Sequence, residues 1–207
     1  MIKVECNGGV HEFSSETTVG KVIKKVYGKK SGAIAALVND EEKDLSHLLL
    51  NDCKVELIDA SSKEGAYIMK HSCAHLLAQA VTELFPNAKP TIGPPIDEGF
   101  YYDFYMDPID ENDLRKIEKL MKKIIKQNIP IQREEHNNET LREMFSDNPF
   151  KIEIMDEKIG EEVGSSAYRQ GKFVDLCRGP HVESTGKLKW FKLTNTSQAF
   201  WRADSSK

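Results

Sequence analysis

Two short segments hold side chains able to bind a metal or move protons. The first, HSCAH at 71–75, sets His71 and His75 four positions apart with a thiol between them. The second, CRGPH at 177–181, repeats that spacing with Cys177 and His181. Three imidazoles and a thiol make a donor set suited to a tetrahedral zinc ion. They also suit a pocket that handles water, because an ordinary histidine titrates near ~6.5 and serves as a base at neutral pH. HSCAH lacks the glutamate of H-E-x-x-H, which excludes metallopeptidase chemistry by that route. Either segment alone is weak evidence, since paired histidines also arise on helix surfaces by composition. Together they leave a choice between metal site and catalytic pocket.

Neighbouring residues add detail. Gly179 and Pro180 favour a tight turn that lets backbone approach a ligand closely. Asp175 precedes Cys177 by two, so on an extended strand both occupy one face. A carboxylate there could orient a histidine or bind a substrate amine, against the plainer alternative of a turn or surface acid. Lys151 falls in the first turn of an expected helix, where a cation opposes the helix dipole. That placement points to function, against the plainer alternative of a solvated side chain.

These residues need elements to hold them. Residues 1–60 read as a ββαββ unit: alternating IKVEC and VHEFS around an NGG turn, a short helix through Val19, Val22, Ile23 and Val26 closed by Gly28, then strands AIAALVND and KVELID. This order predicts a ubiquitin-like roll. DASSKEGA, 59–66, reads as a linker. A long helix is expected over 65–85, stopped by Pro86, with His71 and His75 on one face. Two extended segments follow around IDEG. A second helix runs from Asp110, its N-cap, to about Asn128, with Leu114, Ile117, Leu120, Met121, Ile124 and Ile125 as its apolar stripe. IPIQREEH is expected extended, NETLREMF helical, and NPFKIEIMDEK helical with Asn148 at the cap and Pro149 in the first turn. SAYRQGKFVDLC predicts a hairpin, and KLKWFKLTN and QAFWR predict strands. Without a βαβ rhythm, 61–207 is an α+β unit with an antiparallel sheet and a long helix.

The bulk numbers bound the function. A 207-residue chain, 39% hydrophobic and 30% charged, has enough apolar material for a core. A net charge of -4 confines any binding to a polyanion to a local basic patch. Arg115, Lys119, Lys122 and Lys126 form such a stripe on the second helix; it could contact the phosphates of a nucleic acid, or be merely the solvated face of an amphipathic helix. No apolar run approaches a membrane span, and the first residues lack the character of a signal or transit peptide. Four dispersed cysteines fit reduced thiols and a cytoplasmic setting.

The stretches HSCAHLLAQAV, IGPPIDEGFYYDF, FVDLCRGPHV and QAFWRAD together closely resemble the N-terminal half of threonyl-tRNA synthetases. The resemblance implies a TGS-like β-grasp domain over 1–60 and an editing domain over 61–207. It implies hydrolysis of serine wrongly esterified to the threonine tRNA. One methylene gives a pocket only ~1–3 kcal/mol of discrimination, so a second site that excludes threonine must remove serine. By the same resemblance His71 and Lys151 position and activate water. Asp175 holds the substrate ammonium, and His75, Cys177 and His181 shape the pocket, with Tyr102 an aromatic candidate for the terminal adenosine. Alanyl-type editing domains bind zinc through the same quartet, whereas the threonyl type works without a metal there, so no cofactor is expected in these residues. ATP, magnesium and zinc would serve further domains. Those domains, including the dimerisation core, are expected elsewhere in a longer protein, because nothing here resembles the aminoacylation core. A tRNA-binding module with a structural or zinc-holding cluster is the competing expectation.

Overall fold

The computed structural model describes residues 1–157, 165–198 and 201. Strands β1 (Ile2–Cys6) and β2 (Gly9–Phe13) form a hairpin through Asn7 and Gly8, at φ 54° and 73°. Two left-handed residues are what a two-residue type I′ turn requires. After β3 (Thr17–Thr18), the Thr18 hydroxyl accepts from the Lys21 N–H and starts α1 (Val19–Val26). Then come β4 (Ala33–Val38), β5 (Glu41–Asp44), β6 (Leu48–Leu49) and β7 (Cys53–Asp59). The sheet order is β2-β1-β7-β4-β5, with β1 and β7 parallel and the other pairs antiparallel. Val19, Val22 and Ile23 of α1 bury in one cluster with Val4, Ala36, Val38 and Val55. The expected ββαββ order is present, with β5 added at the sheet edge.

The expected linker is instead a tight turn into the next helix. The Asp59 carboxylate accepts from the Ser61 N–H at 2.7 Å, and the Ser62 hydroxyl caps α2 (Lys63–Leu84) by accepting from the Gly65 N–H at 2.9 Å. A Cβ on Gly65 would lie 1.8 Å from the Asp59 carbonyl oxygen. The small polar residues that suggested slack serve capping and close contact. Ile34, Ala35 and Ile58 of the first sheet share a core cluster with Ile68, Cys73 and Leu76 of α2.

Beyond α2 the chain forms short strands β8 (Lys89–Pro90), β9 (Pro95–Ile96), β10 (Gly99–Phe100) and β11 (Phe104–Tyr105), pairing β9 with β10 and β8 with β11. Helix α3 (Glu111–Gln127) starts on an Asp110–Asp113 capping box and ends at left-handed Asn128. Its Ile117, Met121 and Ile124 join the cluster around α2. Next are β12 (Ile131–His136), α4 (Asn138–Met144), α5 (Pro149–Glu157), β13 (Ser165–Gln170) and β14 (Phe173–Leu176). β12, β13 and β14 form an antiparallel sheet in that order, with Gly171 at φ 64° in the hairpin turn. Helices and largely antiparallel strands give the expected α+β class.

The strand expected at 187–195 is absent. After a 3₁₀ turn at Thr185–Lys187 that stretch is irregular. Leu188 is buried and half-buried Phe191 and Leu193 pack against the main core, while Trp190 is 91% exposed, so the stretch covers apolar surface without pairing as a strand. The strand expected at QAFWR falls mostly outside the described residues.

Candidate active site

Helix α2 presents His71 and His75 one turn apart, with ring centroids 5.3 Å apart and the planes nearly perpendicular. The segment after β14 delivers Cys177 and His181 against them. Cys177 Sγ lies 3.3 Å from both His71 Nε2 and His181 Nε2. One ligating atom from each of the four residues falls within 4.8 Å of the other three. Thus residues a hundred positions apart converge as their matched spacing suggested.

Buried hydrogen bonds fix the orientation of His181. The Ser72 hydroxyl donates to the Ile68 carbonyl at 2.8 Å and accepts the Val182 N–H at 3.1 Å. With its hydrogen committed, it receives the Nδ1–H of His181 at 3.1 Å. His181 therefore turns an unprotonated Nε2 towards Cys177, whose thiol donates into the cluster. The Gly179 N–H donates back to Cys177 Sγ at 3.3 Å. Gly179 is at φ 74°, and a Cβ there would sit 1.9 Å from the Tyr168 hydroxyl, so the turn demands glycine for both its backbone and its contact.

A second group of polar residues joins the quartet. Asp175 of β14 contacts Lys151 Nζ at 2.5 Å through Oδ1, and its Oδ2 accepts the Tyr102 hydroxyl at 2.5 Å. Oδ2 also lies 3.6 Å from His75 Nε2. Lys151 Nζ donates to the Tyr102 hydroxyl at 3.1 Å. Asn148 positions the lysine: its side-chain oxygen accepts from the Phe150 and Lys151 N–H groups, while its Nδ2 donates to the Pro90 carbonyl at 2.8 Å. Lys151 is only 3% exposed, so the lysine that opposed the helix dipole is buried against a carboxylate.

Burial governs the electrostatics. It pushes His71 down to about 4, although Asp175 and the Pro180 carbonyl favour the protonated ring. Nδ1 of His71 has no hydrogen bond of good geometry. His75 is driven to about 3 by burial, and His181 is also lowered, first by burial and then by the neighbouring imidazoles. Burial raises the Cys177 thiol to about 12. Burial would raise Asp175 too, but Lys151, His75 and Tyr102 hold it below its ordinary value. At neutral pH the cluster therefore presents uncharged imidazoles, a protonated thiol and a buried carboxylate. His71 and Cys177 are its half-buried members, while His75 and His181 are buried.

The quartet also fits a zinc ion. Zn–N bonds of ~2.0–2.1 Å and Zn–S bonds of ~2.3 Å imply ligand separations of roughly 3.3–3.8 Å. The two sulfur–nitrogen distances already match, and the longer separations need modest contraction. The Nδ1–H of His181 held by Ser72 is the arrangement that frees Nε2 for a metal.

The basic stripe lies on the exposed face of α3. Arg115 pairs with Glu111 at 3.2 Å and Lys122 with Glu118 at 2.6 Å, while Lys119 and Lys126 are exposed. The sequence reading omitted Ser72, Tyr168 and Asp44. Ser72 lies inside HSCAH, but its role depends on a partner 109 positions away. Asp44 gives no local signal.

Residues 166–206 match the family model described as "Threonyl and Alanyl tRNA synthetase second additional domain". The chain is 48% identical over 184 residues to the threonine–tRNA ligase of Thermoplasma volcanium, which covers 89% of this chain and 26% of that one. It is 46% identical over 206 residues to that of Thermotoga maritima, covering 97% and 32%. It is 45% identical over 209 residues to that of Chlamydia trachomatis serovar D, covering 100% and 32%. The chain thus spans at most about a third of the length of these curated relatives. No helix among the described residues is long and apolar enough to cross a membrane. The chain is therefore similar, along most or all of its length and through both pentapeptides of the cluster, to about a third of these threonine–tRNA ligases.

Proposed function

We propose that the chain edits aminoacyl-tRNA, hydrolysing the ester of serine mistakenly attached to the threonine tRNA. One observation carries this reading: His71, His75, Cys177 and His181 converge with Lys151, Asp175 and Tyr102 in one buried cluster. In the proposed reaction a water held by His71 attacks the ester carbonyl, and the imidazole takes its proton. Lys151, gripped by Asp175, is the cation that stabilises the developing oxyanion. The C–O bond to the ribose breaks, and the proton passes to the departing ribose oxygen. Asp175 also attracts the substrate ammonium, while His75, Cys177 and His181 limit the space beside the seryl side chain. Tyr102 holds the Asp175 and Lys151 end of the site. Cys177, protonated near neutrality, is not the nucleophile.

On this reading residues 1–60 are a TGS-like β-grasp domain, supported by the parallel β1–β7 pair and by α1 packed on the sheet. Residues 61–207 are the editing domain. The relatives' ligase reaction, using ATP and magnesium, would draw on domains outside the length spanned here.

A second reading, a tRNA-binding module with a zinc-holding or structural cluster, is favoured by the 4.8 Å grouping of the four donors. There zinc would tie α2 to the CRGPH turn and could polarise a bound oxygen. Incubating the chain with seryl and threonyl esters of the threonine tRNA, alongside metal analysis, separates the readings. Loss of serine alone is expected. Persistence of both esters with one zinc per chain, while a longer ligase from a relative deacylates the serine form, would establish the module instead.

A further inference from the structure

The first sheet reaches into the site through one side chain. Asp44, at the end of β5, is 8% exposed and directs both carboxylate oxygens across the boundary with the later elements. Oδ1 accepts the backbone N–H of His181 at 2.8 Å, and Oδ2 accepts the Tyr168 hydroxyl at 2.6 Å. Both donors belong to the walls of the cluster. The Tyr168 ring packs edge-on against the His181 imidazole at 4.5 Å and reaches His75 at 6.5 Å. Its hydroxyl also occupies the space where Gly179 would otherwise carry a Cβ.

The turn bearing His181 is pinned at several points. Arg133 Nη1 donates to the Arg178 carbonyl at 2.7 Å and reaches the Tyr168 hydroxyl at 3.4 Å. Ser72 holds Val182, and Cys177 holds Gly179. Asp44 grips the backbone of the site histidine itself. A carboxylate accepting two donors in a buried setting makes stronger, more directional bonds than a neutral acceptor would. An interface glue would need neither this aim nor this charge.

We propose that Asp44 is a positioning residue for the editing site, setting His181 and the Gly179–Pro180 turn at the distance that lets the seryl ester seat beside His71. This rests on the editing reading and extends it. It assigns residues 1–60 a part in the chemistry, since the site is incomplete without their β5.

The test compares Asp44→Ala, Asp44→Asn and, as an interface control, Ile58→Ala in the whole chain. Ile58 belongs to the same core as α2 and carries no polar group of its own. Single-turnover and steady-state hydrolysis of the seryl ester are read together with histidine imidazole NMR signals and melting. Asp44→Ala is expected to lower kcat by ~10–100-fold with KM within ~2-fold, the signature of misplaced rather than missing groups. The His181 imidazole signals should shift with it. Asp44→Asn keeps one carbonyl oxygen for the His181 N–H and should restore most of the rate. Unchanged kcat and unchanged His181 signals in Asp44→Ala would overturn the proposal. So would an equal kcat loss in Ile58→Ala at matched loss of melting temperature. If the unaltered chain hydrolyses no ester, the editing reading fails, and the His181 signals alone then decide whether Asp44 positions that residue. Should Asp44→Ala not fold, Tyr168→Phe, which frees one Asp44 oxygen, must move the His181 signals for the proposal to stand.

Discussion

Lys151 Nζ lies 2.5 Å from Asp175 Oδ1, with the two side chains 4% and 2% exposed. A buried ion pair is not by itself a source of stability, because removing both charges from water costs what their attraction returns. Leaving one partner alone is what costs, about 3–5 kcal/mol in comparable sites. Lys151→Met should therefore lower the urea midpoint markedly, as should Asp175→Leu. The double variant should recover much of the loss while remaining inactive towards the seryl ester. A strictly additive double variant would show that the pair does not interact as its geometry indicates.

His71 and Cys177 are both half-buried but should respond differently to substitution. If His71 handles the water, His71→Ala should reduce seryl-ester hydrolysis by ~10²–10⁴-fold while tRNA affinity holds. Cys177 is protonated near neutrality, its thiol raised to about 12 by burial. Cys177→Ser keeps a hydroxyl of similar size between His71 and His181 and should cost less than ~10-fold. Abolition of the reaction by Cys177→Ser, or trapping of a seryl thioester, would reassign the nucleophile.

Much of this arrangement was legible in the amino-acid order because local rules determine it. Pairs at i, i+4 on a capped helix place His71 and His75 together whatever the rest of the fold does. Asp110, Asn148 and Asn7-Gly8 announced their cap or turn by their own chemistry. What stayed hidden depends on distant partners. Asp44 looks like any strand-end acid until Tyr168 and His181 arrive from 124 and 137 positions away. The 59–66 stretch misled because serine, aspartate and glycine suit both loose chain and tight capping. KLKWFKLTN misled because Leu188, Phe191 and Leu193 do pack on the core, yet among the described residues no neighbouring strand pairs with this backbone, and alternation alone does not make a ladder.

The three site histidines should make the fold acid-sensitive. Burial lowers His71 to about 4 and His75 to about 3, while an unfolded chain would keep both near the ordinary 6.5. Between the folded and unfolded values the unfolded state binds more protons, so stability is full above pH 6.5 and is lost as pH falls towards 4. Each histidine contributes a slope of about 1.4 kcal/mol per pH unit in that window. His181 shifts the same way, and Asp175, held low in the fold, adds loss at still lower pH. Melting temperature measured from pH 7.5 to 4.5 should fall steeply below 6.5, and His75→Gln should flatten the slope. A melting temperature independent of pH over that range would mean that the imidazoles are solvated or already charged in the fold.

The α3 stripe tests whether the chain grips tRNA as a polyanion. The overall charge of -4 means that phosphate attraction must be local, and Arg115, Lys119, Lys122 and Lys126 supply an exposed row of cations. Two of the four are spoken for within the helix, Arg115 by Glu111 and Lys122 by Glu118. Those surface pairs are weak enough, at ~0.2–1 kcal/mol, for a phosphate to displace them. Each phosphate contact contributes a slope of roughly -0.9 in log affinity against log salt on duplex nucleic acid. Replacing Lys119, Lys122 and Lys126 by glutamine should therefore weaken tRNA binding and flatten the salt dependence by up to roughly three contacts' worth. Hydrolysis of a seryl-adenosine ester too short to reach α3 should not change. If tRNA binding and its salt slope survive the triple replacement, α3 is only a solvated helix face and the contact lies elsewhere.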